Sequence, residues 1–259
     1  MPASFRDLHK RAFIPLPLGT VRPKGWLEEQ LRIQAEGLSG HLDEGFFPDL
    51  GPDSGWLGGT GESWEVGPYW LDGIVPLAYL LQDSRLKAKV GKWINWTLNN
   101  QSEDGWLGPE TNHADRWWPR AIMLKVLARY AEATSDRRVE PAMMNYLRFL
   151  TEKLPESPLD VWAKFRWGEY LIPLIWLSER RPCPFFNELS ELIHKQGYNW
   201  SDHFNYFVID QTVRENPNLS THVVNHAMGI KYPALAALFT GLREDAAMSG
   251  RARDGMDRF

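Results

Sequence analysis

The sequence is short of several things that would narrow its function at once. It has one cysteine, Cys183, in 259 residues. That excludes a disulfide framework and a cysteine-rich metal site. No apolar run reaches the length of a membrane span, so no membrane partner is expected. Basic residues are not in excess: 29 Lys and Arg face 33 Asp and Glu, a net charge of -4. No electrostatic footprint for nucleic acid follows. No strand-type alternation competes with the helical pattern. The start, MPASFRDLHKRAFIPLPLG, lacks the apolar core of a signal peptide, which favours the cytoplasm. Four Asn-x-Ser/Thr triplets, at Asn95, Asn100, Asn199 and Asn218, pull towards secretion and fit a chain whose N-terminus is incomplete.

What is abundant is aromatic: 13 Trp, 12 Phe and 8 Tyr. Aromatic faces fill cores, and they also stack on the apolar faces of sugar rings. The densest stretch is GGTGESWEVGPYWLDG, residues 58–73, with the acids Glu62, Glu65 and Asp72 among its rings. Glycine-rich runs form loops. A loop that concentrates indoles and carboxylates suits a ligand with flat apolar faces and a polar rim.

A period of about fifty residues runs through the chain. GWLG stands at 55–58 and again at 105–108. Trp70, Trp118 and Trp167 each open a Trp-x-charged triplet: WLD, WPR and WGE. A nearly continuous apolar segment follows each one, then a polar turn, then a one-sided amphipathic segment. On the amphipathic segments Leu86, Val90, Trp93, Ile94 and Thr97 share a face. So do Val139, Met143, Leu147, Leu150 and Leu154, and so do Phe185, Leu189, Leu192 and Ile193. These are helical spacings. A helix apolar all round must be buried all round, and one apolar on one side lies outside. Each unit therefore predicts an inner and an outer helix. Inner helices are expected at about 70–81, 117–134, 166–178 and 222–240. Pro76, Pro173 and Pro233 would kink them or mark a late start. A lone outer helix over 24–38 carries Trp26, Leu27, Leu31 and Leu38. The fold class is all-α, with the hairpins closing into an α/α toroid and 1–259 forming one domain. In a ring the heads of the inner helices converge into a cup.

GHLDE (40–44), GPYWLDGIVPLAYLL (67–81), DGWLGP (104–109), ARYAEATSD (128–136) and HVVNHAMGIKYPAL (222–235) resemble glycoside hydrolase family 127, the β-L-arabinofuranosidases. The resemblance implies an (α/α)6 barrel and retaining hydrolysis of β-linked L-arabinofuranose. It implies a zinc-bound cysteine thiolate as nucleophile, in a C-terminal half that has no counterpart in these residues. Cys183 does not match that nucleophile, so no cofactor and no metal ligand is expected in this chain. His222 matches the family's active-site histidine; two other family histidines do not carry over.

The catalytic candidates are Glu62, Glu169 and His222. The substrate-binding candidates are Trp64, Trp70, Asp72, Asp115, Trp118, Arg120 and Asn225. Each has a plainer reading. Asp72, Arg120 and Glu169 hold equivalent places on successive inner helices and fit a structural ion-pair ring equally well. The tryptophans also fit a core, and Glu62 and Glu65 a solvated loop. His203, His222 and His226 do not have the spacing of a zinc signature. Three functions remain open: a glycosidase acting on an arabinofuranose-containing glycan, a partial toroid that only binds a sugar or a partner, and a lyase or epimerase using Arg120, Arg166 and His222. The polar tail at 250–259 begins no apolar helix. The terminal inner helix at 230–239 is therefore expected to be open on one side, and the chain to self-associate and lack β-L-arabinofuranosidase activity by itself.

Overall fold

The computed structural model describes residues 8–11, 13–110, 113, 115–205 and 219–256. It is all-α, and no strand occurs among the described residues. The helices are α1 (Trp26–Glu36), α2 (Leu38–His41), α3 (Val66–Leu81), α4 (Ser84–Asn99), α5 (Trp118–Thr134), α6 (Val139–Lys153) and α7 (Val161–Phe165). They continue as α8 (Gly168–Ser178), α9 (Phe185–Gln196), α10 (Trp200–Asn205), α11 (Val223–Gly229), α12 (Tyr232–Thr240) and α13 (Arg243–Met256). The contacts define two compact units, Ile14–Phe149 and Leu150–Phe259 with Met1–Phe13. Each has its own core.

In the unit 14–149, α3 packs against α4 and α5. α3 and α5 are buried over most of their surfaces, as inner helices must be. α4 buries Leu86, Val90, Trp93, Ile94 and Thr97, the face the spacing predicts. Asp83 caps it by accepting from the Leu86 N–H at 3.0 Å. Of α1, only Ala35 is buried, and Trp26 is 74% exposed. The expected apolar face on 24–38 is thus not a packed one. This segment is held through its backbone: Arg85 donates to the carbonyls of Ala35 and Gly40, and Lys89 to that of Gly40.

In the other unit, α8 packs on α9 and α12. α9 buries Phe186, Leu189, Ser190 and Ile193, so its face is turned by one residue from the expected Phe185 and Leu192. The inner helix expected over 222–240 is two helices. It breaks at Ile230–Lys231, and Pro233 sits in the first turn of α12, where its missing N–H costs nothing. The tail corrects the sequence reading most. Residues 243–256 are helical, and α13 lies along α12. It buries Met248 and Ala252, while the Ser249 hydroxyl accepts from the Ala234 N–H at 3.1 Å. Tyr232, Ala236, Ala237 and Phe239 are covered, so α12 has no open apolar side of the expected kind.

Candidate functional site

The glycine-rich run is a tightly cross-braced loop. Gly55 N–H donates to the Glu62 carbonyl, Gly61 N–H to that of Asp53, and Gly59 N–H to that of Ser54. The Asp53 carboxylate accepts from the Thr60 N–H at 3.0 Å. Two glycines admit indoles. A Cβ on Gly58 would stand 2.7 Å from Trp96 Nε1, and one on Gly108 2.3 Å from the Trp56 ring; both have φ in the left-handed region, +86° and +84°. Trp56 is fully buried and donates to the Trp64 carbonyl at 2.9 Å, which pins the loop's far end to the core.

Beside this loop is a cavity of about 670 Å³, lined by Thr60, Glu62, Trp64, Trp96, Glu110 and His113 among others. Trp64 is the central ring. His113 stacks on it at 4.0 Å and 13°, and the Trp64 Nε1–H donates to the Asp115 carbonyl at 2.9 Å. Glu62 Oε1 accepts from the N–H groups of Trp64 (2.8 Å) and Val66 (3.3 Å). Its Oε2 is shut from solvent and has no hydrogen-bond partner. Burial raises the Glu62 carboxyl above the usual carboxylate range, against the backbone N–H bonds that lower it; Asp49 adds to the rise.

The other candidates in this unit sit elsewhere. Trp70 is buried, donates to the Ser39 carbonyl and packs on Trp93 at 5.6 Å. Trp118 is buried, and its Nε1–H reaches Glu65 at 2.5 Å. Asp115 is buried and caps α5 by accepting from the Trp118 N–H. Asp72 stands 3.5 Å from Lys125 and 3.8 Å from Arg129. Arg120 is fully buried, stacked over the rings of Trp106 (4.1 Å) and Trp56 (5.2 Å). It donates to the carbonyls of Leu107, Pro109 and Arg116. Glu62 and Trp64 therefore meet at the cavity, Asp115 braces Trp64 through its backbone, and Trp70, Trp118, Asp72 and Arg120 have contacts that build the fold. His113 and Glu110 were not singled out from the sequence. They belong to no apolar period, and only folding brings them to the loop.

The unit that contains α8 holds Glu169, His222 and Asn225. Glu169 is fully buried; it accepts from the Tyr232 hydroxyl at 3.1 Å and pairs with Lys231 at 2.6 Å. Asn225 accepts from Arg166 Nε at 2.7 Å and donates to the Leu219 carbonyl. The Arg166 guanidinium lies 4.5 Å over the Trp162 ring, and His222 stands edge-on to the same ring at 5.3 Å. His222 Nδ1 is buried without a hydrogen-bond partner. A second cavity, of about 550 Å³, is lined by Trp167, His194, Tyr198 and Asp202 among others. Next to its wall, His203 and His226 meet at 2.7 Å, a pair the sequence spacing did not suggest.

Comparison with models of known protein families, with curated proteins and with solved structures gives no match.

Proposed function

We propose that this chain is a carbohydrate-active protein of the β-L-arabinofuranosidase type, an α/α toroid whose glycine-rich cavity receives an arabinofuranose unit of a glycan. The observation that carries the reading is Glu62. Its carboxyl is held towards the protonated form by burial, is oriented by two backbone N–H groups, and stands beside the Trp64 indole at a cavity of sugar size. Protonation of a glycosidic oxygen asks for a raised carboxylic acid next to a sugar-stacking ring, and here it also asks that ligand entry open the shut-off Oε2 to the cavity, since Oε1 already accepts two N–H groups. The family resemblance of the motifs at 40–44, 67–81, 104–109, 128–136 and 222–235 supports the same class of ligand.

The family's zinc–thiolate centre does not fit the residues present. Cys183 stands in the turn between α8 and α9, and among the described residues no three His, Cys, Asp or Glu side chains group as metal ligands. A second reading, sugar binding without turnover, is favoured by one observation: Glu65 and Glu169 are both engaged in contacts within the fold.

The test is titration of the purified chain with an aryl β-L-arabinofuranoside, following tryptophan fluorescence and aryl release together. Saturable quenching is expected, lost in Trp64→Ala and retained in Glu62→Gln. Turnover that disappears in Glu62→Gln selects the hydrolase; binding with no turnover selects the second reading. No saturable binding refutes both.

A further inference from the structure

The lining of the glycine-rich cavity is one-sided in charge. It holds two carboxylates, Glu62 and Glu110, and no Lys or Arg among the described residues. Two more acids belong to the same stretch: Asp53, whose carboxylate accepts from Thr60, and Asp49, whose charge adds to the rise in Glu62. None of the four has a cationic partner among the described residues. Acids elsewhere in the fold are paired: Asp43 with Lys89, Asp72 with Lys125, Asp136 with Arg138 and Glu169 with Lys231. The basic residues that follow His113 in the chain are committed to other groups. Arg120 is buried and serves three carbonyls, and Arg116 lies over the rings of Trp106 (4.3 Å) and Trp117 (5.3 Å). Lys92, one turn before Trp96 on α4, does not line the cavity. His113 accepts the Asp115 N–H at Nδ1, at 3.2 Å, so that nitrogen carries no proton.

What this lining offers follows from its chemistry. The Trp96 Nε1–H, beside Gly58, donates to nothing among the described residues and can meet a hydroxyl. The Trp64 and Trp96 rings present π faces, which attract cations as well as the apolar faces of sugars. Carboxylates without a counter-charge, along a cleft with apolar walls, leave a focused negative potential. Hydroxyl donors and an ammonium suit it. A carboxylate, phosphate or sulfate on the ligand is repelled and finds no guanidinium or ammonium to pair with. Given that the cavity is a sugar site, as proposed above, we propose that it selects its sugar by charge: it takes a neutral or amine-bearing unit and rejects a uronate, phosphorylated or sulfated one, with Glu110 as the specificity-determining residue. Lyase or epimerase chemistry is thereby removed from this cavity, because proton abstraction beside a uronate starts with that carboxylate bound.

Glu110 is the determinant because the other acids present less charge to a ligand. Glu62 is held towards its neutral form by burial, and its Oε1 is spent on two N–H groups. Asp53 is turned to Thr60. Glu110 is exposed and has no partner among the described residues, so its charge is fully available to whatever enters. Its backbone is nevertheless anchored. The preceding carbonyl, that of Pro109, accepts from Arg120 and from the Trp106 Nε1–H at 3.3 Å. The carboxylate is thus free while its place in the wall is fixed. Exposure makes its effect modest and sensitive to salt.

The experiment compares aryl β-L-arabinofuranosides that differ only at C5: the parent alcohol, the 5-amino-5-deoxy compound and the C5 carboxylate. Each is titrated into the full chain at neutral pH, followed by tryptophan fluorescence, at low and at physiological salt. The carboxylate should bind at least about tenfold more weakly than the parent, and the amine at least as tightly as the parent. Added salt should narrow both differences. Glu110→Gln should bring the carboxylate closer to the parent by about two- to fivefold, and Glu110→Lys by more. Neither substitution removes a contact from the fold. A carboxylate that binds as tightly as the parent, or a ratio that moves in neither variant, overturns the proposal and leaves the sugar site standing. No binding by any of the compounds overturns both. Binding of the amine alone upholds selection by charge and withdraws the arabinofuranose assignment.

Discussion

Arg120→Met removes a buried cation whose role can be worked out from its neighbours. The guanidinium serves the carbonyls of Leu107 (3.0 Å), Arg116 (3.1 Å) and Pro109, and lies over the rings of Trp106 and Trp56. Methionine fills the same slot and donates nothing. The Leu107 carbonyl sits in a buried segment and would lose its partner, while the Pro109 carbonyl keeps the 3.3 Å bond from the Trp106 Nε1–H. Each buried acceptor left unmet costs about 1–3 kcal/mol. The lost stacking adds about 1–2 kcal/mol. Relief of the guanidinium's own desolvation offsets part of this, so the net loss is about 2–4 kcal/mol. At about 2–4 °C per kcal/mol for a unit of this size, the midpoint should fall by roughly 4–16 °C. Arg120→Lys should fall nearly as far, because an ammonium cannot span three acceptors in a planar fork. Urea unfolding followed by near-ultraviolet circular dichroism measures both. A loss under about 1 kcal/mol in Arg120→Met would show that these carbonyls find water, and the argument for a structural arginine would fail.

Three further outcomes are expected. Gly108→Ala should destabilise by about 2–4 kcal/mol, from left-handed backbone strain and the clash with Trp56, whereas Gly73→Ala, exposed in α3 with open space at its Cβ, should stabilise by about 0.5–1 kcal/mol; denaturation midpoints check the opposite signs. Burial raises Tyr79 from 10.0 to about 12, so its neutral form is favoured in the fold. Stability should fall as pH rises through that window, and Tyr79→Phe should flatten the slope. His203 is lowered from 6.5 to about 4, chiefly by burial. The folded state then binds fewer protons than the unfolded one, so stability should be lost as pH falls from about 6.5 to about 4. Complete burial would make this about 3 kcal/mol; with the ring half exposed, about 1–2 kcal/mol is expected from acid titration of the unfolding free energy.

The sequence was most informative where one physical cause acted alone. One-sided burial imposes a helical period: the face of α4 follows it residue for residue, and α6 with Leu154 buries the five expected residues and adds Ala142, Tyr146 and Phe149. It was less so where two causes competed. In α9 the adjacent phenylalanines gave two plausible registers, and the core took Phe186. α13 is polar enough to pass for a tail, yet Met248 and Ala252 suffice to seat it on α12. Trp26 and Leu38 look like core residues in sequence and are exposed, because nothing in residue type says whether a partner surface will be there. At the candidate site, Glu62 and Trp64 stood out by local composition. His113 beside Trp64, and His203 against His226, did not. Those neighbours are set by helices meeting in space, and no local spacing encodes them.

The indoles lodged against glycines tie distant positions into joint mutational units. Gly67 has unstrained helical backbone, and the obstacle to a side chain there is the Trp93 ring, 2.6 Å from where its Cβ would be. A smaller residue at 93 would therefore open position 67 to alanine once Trp56, whose Cδ1 is 3.3 Å from the same point, gives by a few tenths of an ångström, and selection for function in a random library should recover the two changes together far more often than the first alone. Gly58 and Gly108 face Trp96 and Trp56 in the same way, but their positive φ keeps a second restriction that shrinking the indole cannot lift. Variation among functional descendants of this chain should accordingly be coupled at 67 and 93, and stay confined to glycine, with some asparagine, at 58 and 108 even where the facing tryptophan has changed.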